Sequence, residues 1–409
     1  MAVRRRNYRQ MAILGISAGL YALGSGATWF VLPIVTNKMF DNLFLAAAVI
    51  AISNVVSLIF DIPIGELSDK VGRKKLIIAG LALNVLLGFA LPHLQSVATL
   101  VVFLVALGFA NLLLAPPARA FVMEISPSKK TSEFFGIFDT LMDLGFAIGP
   151  LAAGYILSER TDLGVSDIGI FTALMCIVAL LVILLAHETV LRTKKMFRSI
   201  RDVISTDGFY RAGLADFRQL HGAGLAILLS IFTLVFIDGV IWTIGPLYTT
   251  TGMSMEDAGL ILMMFQLPLL LFQIPAGKLA DKYGKITIFV AGSLLAAVSF
   301  AMFGLSTDVG LSIALAFCAA SGLAFVYPAT EGLLTDISTK KQHGGIVGVW
   351  GAAEDIAYIS SPIIGGLIAQ TIGVGATFIF LGLLLLGGLH TMLRLLSERP
   401  KNGCALVEK

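Results

Sequence analysis

The 409-residue sequence predicts an all-α polytopic membrane protein, with twelve transmembrane helices in two parallel six-helix repeats. Three observations predict it. Hydrophobic residues make up 57% of the chain and charged residues 13%, with a mean hydropathy of +0.90. A soluble domain carries about 25% charged residues, so this chain has too little polar surface to stay in water. Apolar stretches long enough to cross a bilayer recur along its length, and one offset of 212 residues brings the first half onto the second.

Lipid leaves every backbone polar group to be satisfied internally, so an apolar run of about 18 residues or more reads as a spanning helix. The first six runs cover about 11–34, 43–64, 76–94, 97–122, 134–157 and 168–186. The second six cover about 222–247, 256–276, 286–305, 309–334, 344–370 and 374–396. This divides the chain into an N-terminal six-helix bundle, 1–186, a linker, 187–221, and a C-terminal six-helix bundle, 222–409. The basic start (Arg4, Arg5, Arg6, Arg9) resembles a signal peptide, but the apolar run after it exceeds the 7–15 residues of a signal core, so a retained first helix is expected.

Charge placement gives the orientation. With both termini in the cytoplasm, 27 of the 29 Lys and Arg fall on the inner side, and only Lys38 and Arg160 fall outside. The positive-inside rule therefore expects a multi-pass protein of the cell membrane with both ends cytoplasmic. The linker holds Arg192, Lys194, Lys195, Arg198, Arg201, Arg211 and Arg218. It fits a cationic connector lying on the inner leaflet, or a site for anionic lipid or a regulatory partner. Cys176, Cys318 and Cys404 lie far apart in no metal or redox spacing, and neither a cofactor nor a metal is expected.

The 212-residue offset pairs Pro63 with Pro275, Asp69 with Asp281, Gly72 with Gly284, Pro116 with Pro328, Asp143 with Asp355, Pro150 with Pro362 and Gly154 with Gly366. Because six is even, both copies insert the same way up. The axis relating them runs along the membrane normal, with substrate expected near the midplane between the halves. Within the repeat, a loop reads Gly65-Glu-Leu-Ser-Asp69-Lys-Val-Gly72-Arg73-Lys74-Lys75, and again Gly277-Lys-Leu-Ala-Asp281-Lys-Tyr-Gly284-Lys285. Glycines suit a tight turn between two helices, and the basic residues suit the inner surface. Asp69 suits the positive end of a neighbouring helix.

This doubled loop resembles the signature loop of the major facilitator superfamily, and the resemblance extends over the whole chain. It implies that Asp69 and Arg73, with Glu124 as the arginine's acidic partner, form an inner-face latch holding the outward-open state. The second-half counterparts would be Asp281, Lys285 and Asp336, with lysine at 285 giving a contact that is not bidentate. The fifth helix carries Gly136, Gly145, Gly149, Pro150, Ala153 and Gly154 in a spacing similar to the motif of the superfamily's drug–proton antiporters. Small residues at 145, 149 and 153 share a face that permits close helix contact, and the proline weakens the hydrogen-bond ladder. Leu104 stands where such antiporters often carry an arginine.

Ionisable groups inside a bilayer are costly, so each is a functional candidate. Asp139 and Asp143 lie four apart, roughly 120° from the glycine stripe. Asp143 sits roughly 14 Å deep, and its repeat mate Asp355 reaches a similar depth beside Glu354, one turn before Tyr358. A carboxyl withdrawn from water holds its proton, and one facing water or a cation releases it, which is what a proton-coupled carrier needs. The alternative is that these acids are structural, hydrogen-bonded to neighbouring helices. Tyr21 and Trp29 on the first helix, and Asp238 and Trp242 on the seventh, suit a mixed aromatic and polar cavity wall. Arg119 and Glu331, matched by the offset near the inner helix ends, are expected to be gate or latch charges.

Together these residues point to a secondary active transporter working by alternating access, with proton-coupled efflux of small organic compounds as the leading mode. An importer or facilitator of a small solute is the alternative, and a membrane-embedded enzyme or sensor a remote one. The expected partners are membrane lipid, a small-molecule substrate and protons, with no nucleic acid and a monomeric chain. Gly15-Ile-Ser17-Ala-Gly19 matches the serine-hydrolase pattern, but it lies within a spanning helix, without the strand–turn–helix elbow that chemistry needs. No phosphate-binding loop is found, so direct ATP drive is not expected.

Overall fold

The computed structural model describes residues 2–127, 130–158, 164–188, 221–337 and 343–397. Most of the linker and the side chain of Asp336 lie outside the described residues. The first half comprises α1 (Ala2–Phe40), α2 (Leu43–Ala48), α3 (Ala51–Val71), α4 (Arg73–Ala90), α5 (Val97–Leu112), α6 (Ala115–Ile125), α7 (Thr131–Ser158) and α8 (Val165–Leu184). The second comprises α9 (His221–Ile244), α10 (Met255–Tyr283), α11 (Lys285–Leu305), α12 (Val309–Ile337), α13 (His343–Thr371) and α14 (Val374–Ser397). Among the described residues, eleven segments are helical, long and apolar enough to cross a membrane. The twelfth expected span is α13, a 29-residue helix whose hydropathy is lowered by Glu354, Asp355 and Gln370.

Two expected spans are each built from two helices. The second breaks at Val49–Ile50, between α2 and α3, and the fourth at Leu113–Leu114, between α5 and α6. The latter break precedes Pro116 and Pro117, which occupy the first turn of α6, where a missing N–H costs no helical hydrogen bond. Three helix starts show side-chain caps. Asn42 accepts from the Leu45 N–H, Ser96 and Thr99 form a reciprocal box, and Ser254 accepts from the Asp257 N–H.

The doubled loop is shorter than its sequence suggests. Helix α3 continues to Val71 and α4 begins at Arg73, so the connection is Gly72 alone, at φ +115°. Gly284, at φ +95°, joins α10 to α11 in the same way. Side chains with a Cβ disfavour this backbone region. Gly72→Ala should therefore lower stability by about 1–2 kcal/mol, read as a lower thermal midpoint. An unchanged midpoint would mean that the turn absorbs a side chain.

The repeat is exact enough to predict contacts. A Cβ built on Gly154 of α7 would lie 3.2 Å from Gly259 Cα of α10, with Met255 beside it. Its mate Gly366 on α13 meets Leu43, Phe44 and Ala47 of α2, the last at 2.8 Å. Residues 43 and 47 are 255 and 259 minus the offset, so the two seams are related by the twofold axis. Lipid gives helices no hydrophobic reason to associate, so small residues that admit close approach make these seams. Apolar cores follow the same exchange. Ala258 and Leu262 of the second half sit in a cluster with Phe30, Leu32 and Leu157, while Ala47 of the first sits with Val240, Ile244 and Phe378. The Leu43 N–H also donates to Gln370 Oε1 at 2.7 Å.

All of these joins lie on the side of the bundle opposite the Gly72 and Gly284 turns, here called the far side. On the basic side, a Cβ on Gly65 of α3, Gly136 of α7 or Gly351 of α13 would meet nothing within 4 Å. The close contacts between the halves named above thus cluster at the far side, and the space between the halves toward the basic side is here called the crevice.

Candidate functional site

The crevice is lined with carboxylates from both halves. Asp139 and Asp143 stand one turn apart on α7, both half-buried, and both within electrostatic reach of Arg119 on α6. Asp143 is also within electrostatic reach of Asp238 of α9, across the seam. Asp238 accepts a hydrogen bond from the Tyr358 hydroxyl of α13 at 2.9 Å, with Gln266 and Trp242 beside it. On α13, Glu354 Oε1 accepts from Trp350 Nε1 at 2.7 Å, and Asp355 faces Asp61 of α3 across the seam. Asn54 Nδ2 of α3 donates to the Tyr358 carbonyl at 2.9 Å, tying the halves at mid-depth.

Asp143 and Asp355 are thus brought into one crevice but not to each other. Each is within electrostatic reach of an acid of the opposite half, Asp143 of Asp238 and Asp355 of Asp61. Neither lines the apolar cavity beside the crevice. That cavity, of about 230 Å³, lies against the first half between α1, α4, α6 and α7. Its wall is mainly apolar, including Leu14, Leu81, Phe138 and Met142, and its polar rim carries Tyr21, Asn111, Trp29 and Arg119. The Tyr21 hydroxyl donates to Asn111 Oδ1 at 2.8 Å, which fixes both side chains on the rim. Trp242 packs edge-on against Phe146 at 5.8 Å between ring centroids, joining the halves next to this cavity. Ser17 of the hydrolase-like pattern donates to the Ala179 carbonyl at 2.8 Å, and Gly19 packs on Leu141, so the pattern serves helix packing.

On the basic side, Arg73 makes the contacts expected of it. Its Nε and Nη2 both donate to Glu124 Oε1 at 3.2 Å, Nη1 donates to Ser68 Oγ at 2.8 Å, and Nη2 pairs with Asp69. All these partners belong to the first half, so the described latch ties α3, α4 and α6 together and does not cross the seam. The second half departs from it. Lys285 Nζ donates to the Gly332 carbonyl at 2.9 Å, and Asp281 is exposed on the same side. The Arg73 side chain is only 12% exposed, so removing its acid leaves a largely buried guanidinium short of acceptors. Glu124→Ala should cost about 1–2 kcal/mol, read as a lower unfolding midpoint, and no change would make the pair ornamental.

Arg119 and Glu331 correct the expectation of latch charges. Arg119 is in electrostatic reach of Asp61, Asp139, Asp143, Glu331 and Glu354, and Glu331 of Asp139 and Glu354. Both therefore stand among the crevice acids, and neither is among the partners of Arg73. Sequence reasoning also passes over four crevice residues. Asp61 lies within the second expected span, but its repeat mate is Gln273, so symmetry does not flag it. Tyr327 of α12 lies among Asp238, Glu354, Glu331 and Asp143. Asn54 and Gln266 are repeat mates, a signal that a search for polar pairs at the offset would have found.

The antiporter-like stripe packs on two sides. A Cβ on Gly149 would lie 2.6 Å from the Leu23 carbonyl oxygen of α1, and Gly145 meets Gly19, Ala22 and Leu23. Pro150 touches Gly26 of α1 and offers its carbonyl toward Gly259 of α10, next to Gly154. One stripe therefore fixes α7 within its half and against the other.

Comparison with known proteins agrees with this architecture. The chain matches the Major Facilitator Superfamily over residues 14–248 and 227–408. It is 26% identical over 326 residues to an uncharacterized MFS-type transporter of Methanocaldococcus jannaschii, covering 78% of this chain and 80% of that one. It is 24% identical over 372 residues to the class H tetracycline resistance protein of Pasteurella multocida, covering 87% and 88%. The solved structure of a POT family transporter in complex with a thioalcohol conjugated peptide shares the fold at a TM-score of 0.74, covering 95% of this chain and 96% of that one at 15% identity. With the match spanning both repeats and the relatives being transporters rather than enzymes, the chain belongs to the Major Facilitator Superfamily.

Proposed function

We propose that the protein exports small organic compounds in exchange for protons, by alternating access to the crevice between its halves. It sits in the cell membrane with both termini in the cytoplasm, so the basic side is the inner one and the described state faces inward. What supports this reading is that acids of the two halves stand within electrostatic reach across the seam, Asp143 of Asp238 and Asp355 of Asp61, where Asn54 of one half bonds Tyr358 of the other. Carboxylates on opposite moving bodies repel when both are charged and come together when one is protonated. A proton, or a positively charged compound between them, then decides whether the halves can close. Opening exchanges that proton or compound with the side that has become accessible.

The apolar cavity on the first half supplies a surface for an organic body, and Tyr21 and Asn111 on its rim supply polar contacts. The glycine–proline stripe of α7 and a relative named for tetracycline resistance both support a small organic substrate and export. The test is a substrate screen with fluorescent organic compounds in reconstituted vesicles, with and without an imposed pH gradient. Movement of at least one compound only under the gradient is expected. Equal movement with the gradient collapsed would favour a facilitator and overturn exchange.

A further inference from the structure

Arg119 differs from every other charge in the crevice. It lines the cavity and is exposed to it, at the meeting point of α6 with acids on α3, α7, α12 and α13. The groups facing it are Asp61, Asp139, Asp143, Glu331 and Glu354. Yet among the described residues it makes no ion pair within 4 Å and no side-chain hydrogen bond. Arg73 shows the contrast: its guanidinium is committed to Ser68, Asp69 and Glu124. A structural arginine is held in a fork of this kind. Arg119 is instead a positive charge shared among five carboxylates and bonded to none, so small side-chain movements can carry it from one to another. Its repeat mate is Glu331, of opposite sign, so the duplication places one cation and one anion at equivalent sites of the two halves.

We propose that Arg119 is the resident counter-cation of the crevice, competing with protons and with a cationic substrate for the carboxylates of both halves. It thereby sets how much positive charge the crevice accepts, and it makes organic cations the substrate class best matched to the site. This rests on reading the crevice as the transport path. Without the guanidinium, the five carboxylates draw in additional protons or bind an added cation more tightly. With it, a cation must displace the arginine from the acids it approaches.

The test is equilibrium binding in detergent, which can fail independently of gradient-driven export. Wild type is compared with Arg119→Gln, Arg119→Lys and the exchange variant Arg119→Glu with Glu331→Arg. Lys75→Gln, on the exposed basic surface, controls for total charge. Ethidium affinity is read by fluorescence anisotropy, and proton release per ethidium by pH change in weak buffer. Arg119→Gln should bind ethidium about tenfold tighter and release up to about one more proton per ethidium. Arg119→Lys, the exchange variant and Lys75→Gln should stay within about threefold of wild type, because each preserves the net charge of the crevice. An Arg119→Gln protein with wild-type affinity and proton count overturns the proposal. If that variant fails to fold, the exchange variant decides, since loss of binding in a folded exchange protein overturns it equally. If ethidium binds none of these proteins, proton uptake on a step from mildly alkaline to mildly acidic buffer decides. An extra proton in Arg119→Gln supports the proposal and an equal count overturns it.

Discussion

Asp143→Asn is expected to reduce gradient-driven transport to the level of empty vesicles while leaving the protein folded. The amide has the shape of the carboxyl but can neither bind nor release a proton near neutrality, so the repulsion between Asp143 and Asp238 no longer depends on protonation. Folding should survive because Asp143 makes no hydrogen bond or ion pair among the described residues, so no partner loses its acceptor when the amide replaces the carboxyl. Asp238 offers the contrast. It accepts the Tyr358 hydroxyl at 2.9 Å, so Asp238→Asn should lower thermal stability as well as transport. Transport assays paired with unfolding midpoints separate the two roles. Full gradient-driven transport by Asp143→Asn would remove this residue from the coupling path, and a collapsed midpoint would make it structural.

Gly149→Leu should be the most damaging packing change. A Cβ there would stand 2.6 Å from the Leu23 carbonyl oxygen and 2.9 Å from the Ala27 nitrogen, both backbone atoms of α1. No rotamer relieves a clash with backbone, so α7 must move off α1 and lose contact along the seam. The expected cost is about 2–3 kcal/mol, with transport lost, since the same helix carries Asp139 and Asp143. Gly387→Ala is the matched control. A Cβ there meets nothing within 4 Å, so alanine in this helix interior should be neutral or stabilise by about 0.5–1 kcal/mol. Similar unfolding midpoints for the two variants would refute the packing account.

Much of this architecture was legible in the sequence because bilayer thickness and backbone geometry leave few alternatives. Span lengths follow from the apolar runs. The Gly72 and Gly284 turns and the small-residue stripe of α7 involve residue types whose replacement meets steric penalties, so their spacing carries the information, while the Arg73–Glu124 contact follows from the family resemblance. What was not legible depends on which way each helix faces. The breaks at Val49–Ile50 and Leu113–Leu114 lie in unbroken apolar text. The offset matches Asp143 with Asp355, but a line of sequence does not say that each comes within electrostatic reach of Asp238 or Asp61 across the seam. Arg119 and Glu331 are expected from their depth and the offset to be gate or latch charges, and which acids stand near them depends on how each helix is turned. Asp61 was missed because the copy did not keep it.

The most direct measurement of exchange across the crevice is to record both fluxes in the same sealed vesicles. A compound identified by the screen is added to one side while internal and external pH are followed. Exchange predicts that protons move opposite to the compound in a constant ratio, and that both fluxes vanish together in Asp143→Asn. Compound movement unaccompanied by protons, or protons travelling in the same direction, would contradict it.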